Sequence, residues 1–182
     1  MDRLPPIPPP LWTAEQRAEA EPIINGPRGA LVAPFVPLMR SPELMGHVQR
    51  LGEYLRYRSA LPPPLSELAI LVTARHWTQQ VEWAIHAPIA VAQGLPAQAI
   101  DDIAHGREPT GLDDDALLVY RFCAELQATK GVGDPSWTAF VERFGEKAAV
   151  DLTAIVGYYT LLSMVMNAAR TPVPPSTAGL LP

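Results

Sequence analysis

The chain has 182 residues, of which 48% are apolar and 18% charged, and a net charge of −5. That length suits one domain with a real core, residues 1–182, and the apolar share leaves surface for a partner subunit to cover. The acidic balance argues against a nucleic-acid partner. The single Cys123 excludes an internal disulfide, a cysteine-built metal cluster or a dithiol redox centre within one chain.

Along the chain the pattern is helix after helix, with no alternating run long enough for a sheet, so an all-α protein is expected. Residues 1–12 form a proline-rich arm that holds no α-helix. Thr13 and Gln16 form a capping-box pair that opens a helix to about Ile24, and Asn25-Gly26-Pro27 ends it. Residues 29–38 are apolar but broken by Pro34 and Pro37, which predicts a loop or a short helical turn. Ser41-Pro42 begins a helix to about Tyr57.

Pro62-Pro63-Pro64 predicts a rigid change of direction before a helix from Ser66 to about Trp77. The next helix runs from about Gln79 to Gln93, and Pro88 inside it is expected to kink or split it. Further helices are predicted from Leu95-Pro96 to His105, from Asp113 to Thr129, from Ser136 to Phe144 and from Gly145 to Ala169. Residues 171–182 form a second proline-rich arm. The uncharged stretch Leu152–Ala169 has the length of a membrane span. Its threonines, tyrosines, serine and asparagine, and the lack of an adjoining basic cluster, favour a buried or interface helix and no membrane contact. No N-terminal stretch resembles a signal peptide, so a cytoplasmic protein is expected.

The polar residues of the apolar middle carry the candidate chemistry. Glu82 and His86 are four apart, so a helix places them on one face. The carboxylate can hold the imidazole in one tautomer and raise its basicity, as a general acid or base needs. His76 and Gln79 extend the stripe backwards. The competing account is a structural Glu–His pair on a helix surface. A metal set of Glu82, His86 and either His76 or Glu67 is the third, without the HExxH spacing of zinc proteases. Glu67 is expected in the first turn of its helix, where the dipole favours an acid with no catalytic role.

The stretch 65–95, LSELAILVTARHWTQQVEWAIHAPIAVAQGL, resembles the signature of the carboxymuconolactone decarboxylase family, which is related to the alkylhydroperoxidase D-like proteins. NGPRG at 25–29, LGEYLRYRSALP at 51–62 and GYYTLLSMVMNAARTPVP at 157–174 extend the resemblance over most of the chain. It implies an all-helical bundle, alkylhydroperoxidase D-like, assembled as a homotrimer or hexamer. The peroxidase branch of that family has a glutamate, a Cys-x-x-Cys pair and a histidine. Those positions fall on Glu67, Gln79, Glu82 and His86, so the acid and the histidine are kept while both thiols are missing. Peroxide reduction through a dithiol is out of reach for these residues.

The decarboxylase branch also lacks the thiols, and the resemblance to it implies a lyase acting without cofactor or metal on a small-molecule substrate. His86 would move the proton, with Glu67 and Glu82 orienting it. A cation would position the substrate carboxylate. Arg58 is slightly preferred because it lies in a family-like segment, with Arg75 and Arg28 as alternatives. Trp83 is a candidate pocket wall and Trp77 is expected in the core. Tyr158, Tyr159 and Asn167 can reach a pocket or a neighbouring subunit, with interface packing favoured, and Cys123 is expected to be an inert buried thiol. The rival to the enzyme is a non-catalytic, oligomeric small-ligand binder of the same fold.

Overall fold

The computed structural model describes residues 1–173 and 180–182, so half of the second proline-rich arm lies outside the described residues. Among the described residues there are nine α-helices and no strand. They are α1 (Ala14–Ile24), α2 (Phe35–Leu38), α3 (Pro42–Tyr57), α4 (Pro63–His76), α5 (Gln80–Ala92), α6 (Ala97–Ala104), α7 (Asp114–Thr129), α8 (Asp134–Phe144) and α9 (Glu146–Ala169).

Helix α4 is the hub. Every residue from Leu65 to Ala74 is buried, because α5, α6, α7 and α9 all pack against it. A helix enclosed on all sides has no polar face, and α4 accordingly shows no amphipathic stripe. The exception is Glu67, an acid on a helix with no route to bulk water along its own length, which must find partners within the fold. Helix α9 lies against α3, α4 and α8. It alone among the described helices has the length and apolarity of a membrane span, yet just over half of its most apolar stretch, 56%, is buried against its neighbours.

Helix ends follow local chemistry. Thr13 accepts from the Gln16 amide while the Gln16 side chain accepts from the Thr13 amide, a complete capping box. Asp113 caps α7 by accepting from the Ala116 amide at 2.8 Å. Two expectations need correction. Helix α4 starts at Pro63, not Ser66, because prolines at the first two helical positions have no intrahelical donor to lose and already hold the helical φ. Of the kink or split expected at Pro88, the split does not occur: helix α5 continues through Pro88 to Ala92. Between α4 and α5, Thr78 takes a left-handed φ of +47°, and the Gln79 amide reaches back to the Ala74 carbonyl at 2.8 Å. That tight turn sets the register of the α4–α5 hairpin.

Both ends of the chain pack on the chain itself. The Arg3 amide donates to the Ala169 carbonyl at 2.8 Å. The Leu181 amide donates to Gln80 Oε1 at 2.9 Å and the Gln80 amide returns a bond to the Leu181 carbonyl at 3.0 Å.

Candidate active site

The α4–α5 hairpin brings the three expected residues together. Glu67 lies five positions into α4, in the second turn. The helix dipole, which acts within the first turn, therefore does not account for it. From there its Oε2 meets His86 Nδ1 at 2.6 Å. Glu82, one turn before His86 on α5, places Oε2 3.4 Å from Nε2. All three are buried, with 4%, 1% and 2% of their surfaces exposed. Arg56 of α3 completes the cluster: its Nη2 is 4.0 Å from Glu67 Oε1 and its Nη1 3.5 Å from His86 Nε2.

Burial opposes a charge on His86, but the hydrogen bonds to Glu67 and then Glu82, reinforced by their charges, outweigh it and raise the imidazole pKa. A carboxylate on each side of the ring therefore favours imidazolium.

The cluster opens onto a cavity of about 470 Å³. Glu82, Ile85 and His86 reach it as one face of α5 at spacings of three and four. Across from them stand Arg28, Phe35, Arg56, Tyr57, Tyr158 and Tyr159. The Tyr159 ring meets His86 edge-on at 5.2 Å between centroids, and Tyr158 meets Tyr159 edge-on at 5.3 Å. Burial lifts the Tyr158 phenol to about 12 and that of Tyr159 well above its ordinary value, so both are neutral donors near pH 7. Glu67 does not line this cavity. It lines a smaller one of about 240 Å³ that shares Arg56, Tyr57 and Tyr159 as a wall. Glu67 thus holds His86 from behind while Glu82 and His86 face the larger space.

The other expected site residues lie elsewhere. Arg58 caps the C-terminus of α3, exposed and stacked on Tyr54 at 5.8 Å, and lines no part of the cavity. Arg56, two residues earlier and so about 200° away around the helix, lines the cavity where Arg58 does not. Trp83 is 3% exposed and belongs to the hydrophobic core; one step from Glu82 turns it away from the cavity face. Arg75 and His76 line a separate hollow of about 190 Å³ beside α6 and α7. Among the described residues no group of three or more His, Cys, Asp or Glu is arranged to hold a metal ion.

Tyr158 and Tyr159 line the cavity within the chain, the pocket role left open for them from sequence. Asn167 bonds within the chain: it accepts from the Gln79 side-chain Nε2 at 2.8 Å and donates to the Trp77 carbonyl at 3.0 Å, tying α9 to the α4–α5 turn. Trp77 is half-buried on that seam, donating to Thr160 at 3.1 Å. Gln79, one of the two positions where the resembling peroxidases carry thiols, caps α5 through its side chain, accepting from the Val81 amide at 2.6 Å. Cys123 is fully buried and lines none of these cavities.

Arg56 and Gly52 were missed from sequence, although a signal existed. The buried positions of α3, Val48, Gln49, Gly52 and Leu55, put residue 56 on the inner stripe and residue 58 off it. Gly52 makes room for the site: a Cβ there would fall on the Tyr158 hydroxyl and crowd Arg28.

The architecture is that of the alkylhydroperoxidase D-like proteins. An uncharacterized peroxidase-related protein from Ralstonia eutropha JMP134, described as an alkylhydroperoxidase AhpD core, superposes with a TM-score of 0.78 at 15% identity over 96% of this chain and 93% of that one. An uncharacterized peroxidase-related protein from Silicibacter sp. TM1040 gives 0.74 at 14% identity over 98% and 94%. The debrominase Bmp8, a cysteine-to-alanine variant in complex with 2,3,4-tribromopyrrole, gives 0.70 at 11% identity over 94% and 91%. No family model matches the chain, and no curated protein matches it in sequence. The protein therefore has the alkylhydroperoxidase D-like fold, shared with an enzyme and with peroxidase-related proteins.

Proposed function

We propose that the protein is a cofactor-independent acid/base enzyme of the carboxy-lyase type, acting on a small carboxylated lactone or a related β,γ-unsaturated or β-keto acid. The observation that carries this proposal is His86 held between two carboxylates, 2.6 Å from Glu67 and 3.4 Å from Glu82, on the wall of a cavity. A pair serving structure alone needs no such opening.

In the proposed reaction the bond to the leaving carboxylate breaks as carbon dioxide departs. The electron pair delocalises into the conjugated lactone or carbonyl. The imidazolium then gives its proton to the resulting carbanionic carbon and becomes neutral, and solvent protonates it again. Glu67 on Nδ1 keeps the other nitrogen, Nε2, directed at the cavity. Tyr158 and Tyr159, both neutral, supply walls and donors instead of base. Thiol-dependent chemistry has no support in these residues, since glutamine and glutamate occupy the two positions that match the cysteine pair. The exposed Val150, Leu161 and Met164 along α9 support assembly into a homotrimer or hexamer as part of the same proposal.

The test is carbon dioxide release and the ultraviolet absorbance change on 4-carboxymuconolactone, with wild type and His86→Ala side by side. Turnover that collapses in the variant supports the assignment. No turnover in wild type removes this substrate and favours a ligand-binding member of the fold.

A further inference from the structure

We propose that the cavity selects a small planar acid that also carries a hydrogen-bond donor, an enol or hydroxyl, with Arg28 holding the acid group and Glu82 accepting from the donor. This rests on the proton-transfer proposal for the same cavity and names the class of molecule it takes.

Buried polar atoms in folded proteins normally find partners. Five buried side-chain atoms among the described residues lack one, and two of them, Arg28 Nη1 and Glu82 Oε1, belong to residues that line the 470 Å³ cavity. One is a donor and the other an acceptor. Glu82 is 1% exposed, so bulk water does not serve its free oxygen. Its second oxygen faces His86 Nε2 at 3.4 Å. A ligand that satisfies both free atoms must present an acceptor to Arg28 and a donor to Glu82.

The charges select which acceptor. Arg28 forms no ion pair among the described residues. Its guanidinium sits over the Phe35 ring at 5.1 Å and shares the cavity wall with Tyr158, and its Nη1 has no partner. Arg56 is differently engaged, 4.0 Å from Glu67 and 3.5 Å from His86, so it belongs to the proton-transfer cluster. With His86 protonated, three cations (Arg28, Arg56, His86) face two carboxylates (Glu67, Glu82), and one anionic group on the ligand balances the site. A guanidinium recognises a carboxylate better than a neutral carbonyl because both partners are ionised. The aromatic walls favour a flat molecule.

The test uses the full chain and a probe series: 3- and 4-hydroxybenzoate, their methyl esters, and benzoate, each titrated by calorimetry. At least one hydroxybenzoate is expected to bind about tenfold or more tightly than its ester and than benzoate, since a site built for a polar group rejects the analogue lacking it. Arg28→Gln removes the acid-over-ester preference while Arg28→Lys retains part of it. Glu82→Leu removes the hydroxyl preference, and circular dichroism confirms that each variant is folded. His86→Gln leaves the hydroxyl preference in place and weakens the acid-over-ester preference, because it removes one of the three cations. Equal binding of acid and ester, an unchanged ratio in Arg28→Gln, or no binding by any probe overturns the assignment. Carbon dioxide release is read separately: its absence alongside intact preferences overturns the proton-transfer proposal and leaves this assignment standing.

Discussion

His86 Nδ1 lies 2.6 Å from Glu67 Oε2, a contact made between two helices by residues nineteen apart in sequence. Because Glu67 raises the imidazole pKa and burial alone would lower it, removing the carboxylate lowers that pKa, with Glu82 left to support the charge. A histidine whose folded pKa lies above its ordinary value of 6.5 gives stability that is fully present below that value and is lost as pH rises through the folded pKa. Glu67→Gln is therefore expected to cost most at pH 5–6, about 1.5–3 kcal/mol for a lost hydrogen bond to a charged group, and least on the alkaline side. Urea melts across that range, with an NMR titration of the His86 ring, check it. An unchanged titration in the variant would contradict the arrangement. Turnover that depends on imidazolium falls at lower pH in the variant than in wild type.

Gly52 and Tyr158 form the second coupled pair. The Tyr158 hydroxyl occupies the space where a Cβ at residue 52 would sit, and the tyrosine is 5% exposed, with little room to retreat. Gly52→Ala is expected to destabilise by about 1–3 kcal/mol through overpacking, against the small gain that alanine brings to a helix interior. It also crowds Arg28, whose Nη2 lies 3.0 Å from where that Cβ would sit. A thermal melt measures the first effect and weakened binding of a hydroxybenzoate the second. A variant as stable as wild type would mean that α3 shifts freely, contrary to its packing on α9.

Helix ends were legible because they obey local rules: Thr13 with Gln16, and Asp113 with Ala116, are set by residues three apart. The start of α4 was misplaced because Pro62-Pro63-Pro64 satisfies two rules at once, a rigid extended segment and a first helical turn, and only the packing of α4 chooses between them. The Glu82–His86 pair was visible from spacing on one helix. Its 2.6 Å contact with Glu67 is tertiary, and the sequence pointed to it only through the family resemblance. Of the arginines read from sequence, Arg28 lines the cavity and Arg58 does not, while Arg56 was not considered because its helical phase was not followed. The place of the tyrosines was left between two roles because GYY within an apolar run reads alike whether it meets another subunit or a cavity in the same chain.

Asp151 joins three parts of the fold. It is 5% exposed and accepts from the Ala60 amide at 2.8 Å, from Tyr54 at 3.0 Å and from Lys147 at 2.8 Å. Burial pushes its pKa up, but the bonds from Lys147, Ala60 and Tyr54 together win and lower it. Its contribution is thus present above the ordinary carboxylate range and is lost as pH falls through the lowered pKa. Asp151→Asn is expected to cost about 1–3 kcal/mol near pH 7 and progressively less in acid. Denaturant melts at pH 7 and pH 3 give the two values; equal losses at both would refute the charge-based account.

Thr78 offers the opposite sign. It is exposed and holds a φ of +47° in the turn between α4 and α5, a region that β-branched residues adopt at a cost. The turn needs that conformation, because the Thr78 amide bonds the Arg75 carbonyl at 3.0 Å and the next amide bonds Ala74 at 2.8 Å. Asparagine tolerates the left-handed region, and glycine adopts it freely with a greater loss of entropy on folding. Thr78→Asn is therefore expected to stabilise by up to about 1 kcal/mol, and Thr78→Gly by less. The hairpin register is unchanged, so the Glu67–His86 contact and the NMR titration of His86 are expected to stay as in wild type. A destabilised Thr78→Asn variant would mean that the threonine side chain holds the turn by contacts that outweigh its backbone strain.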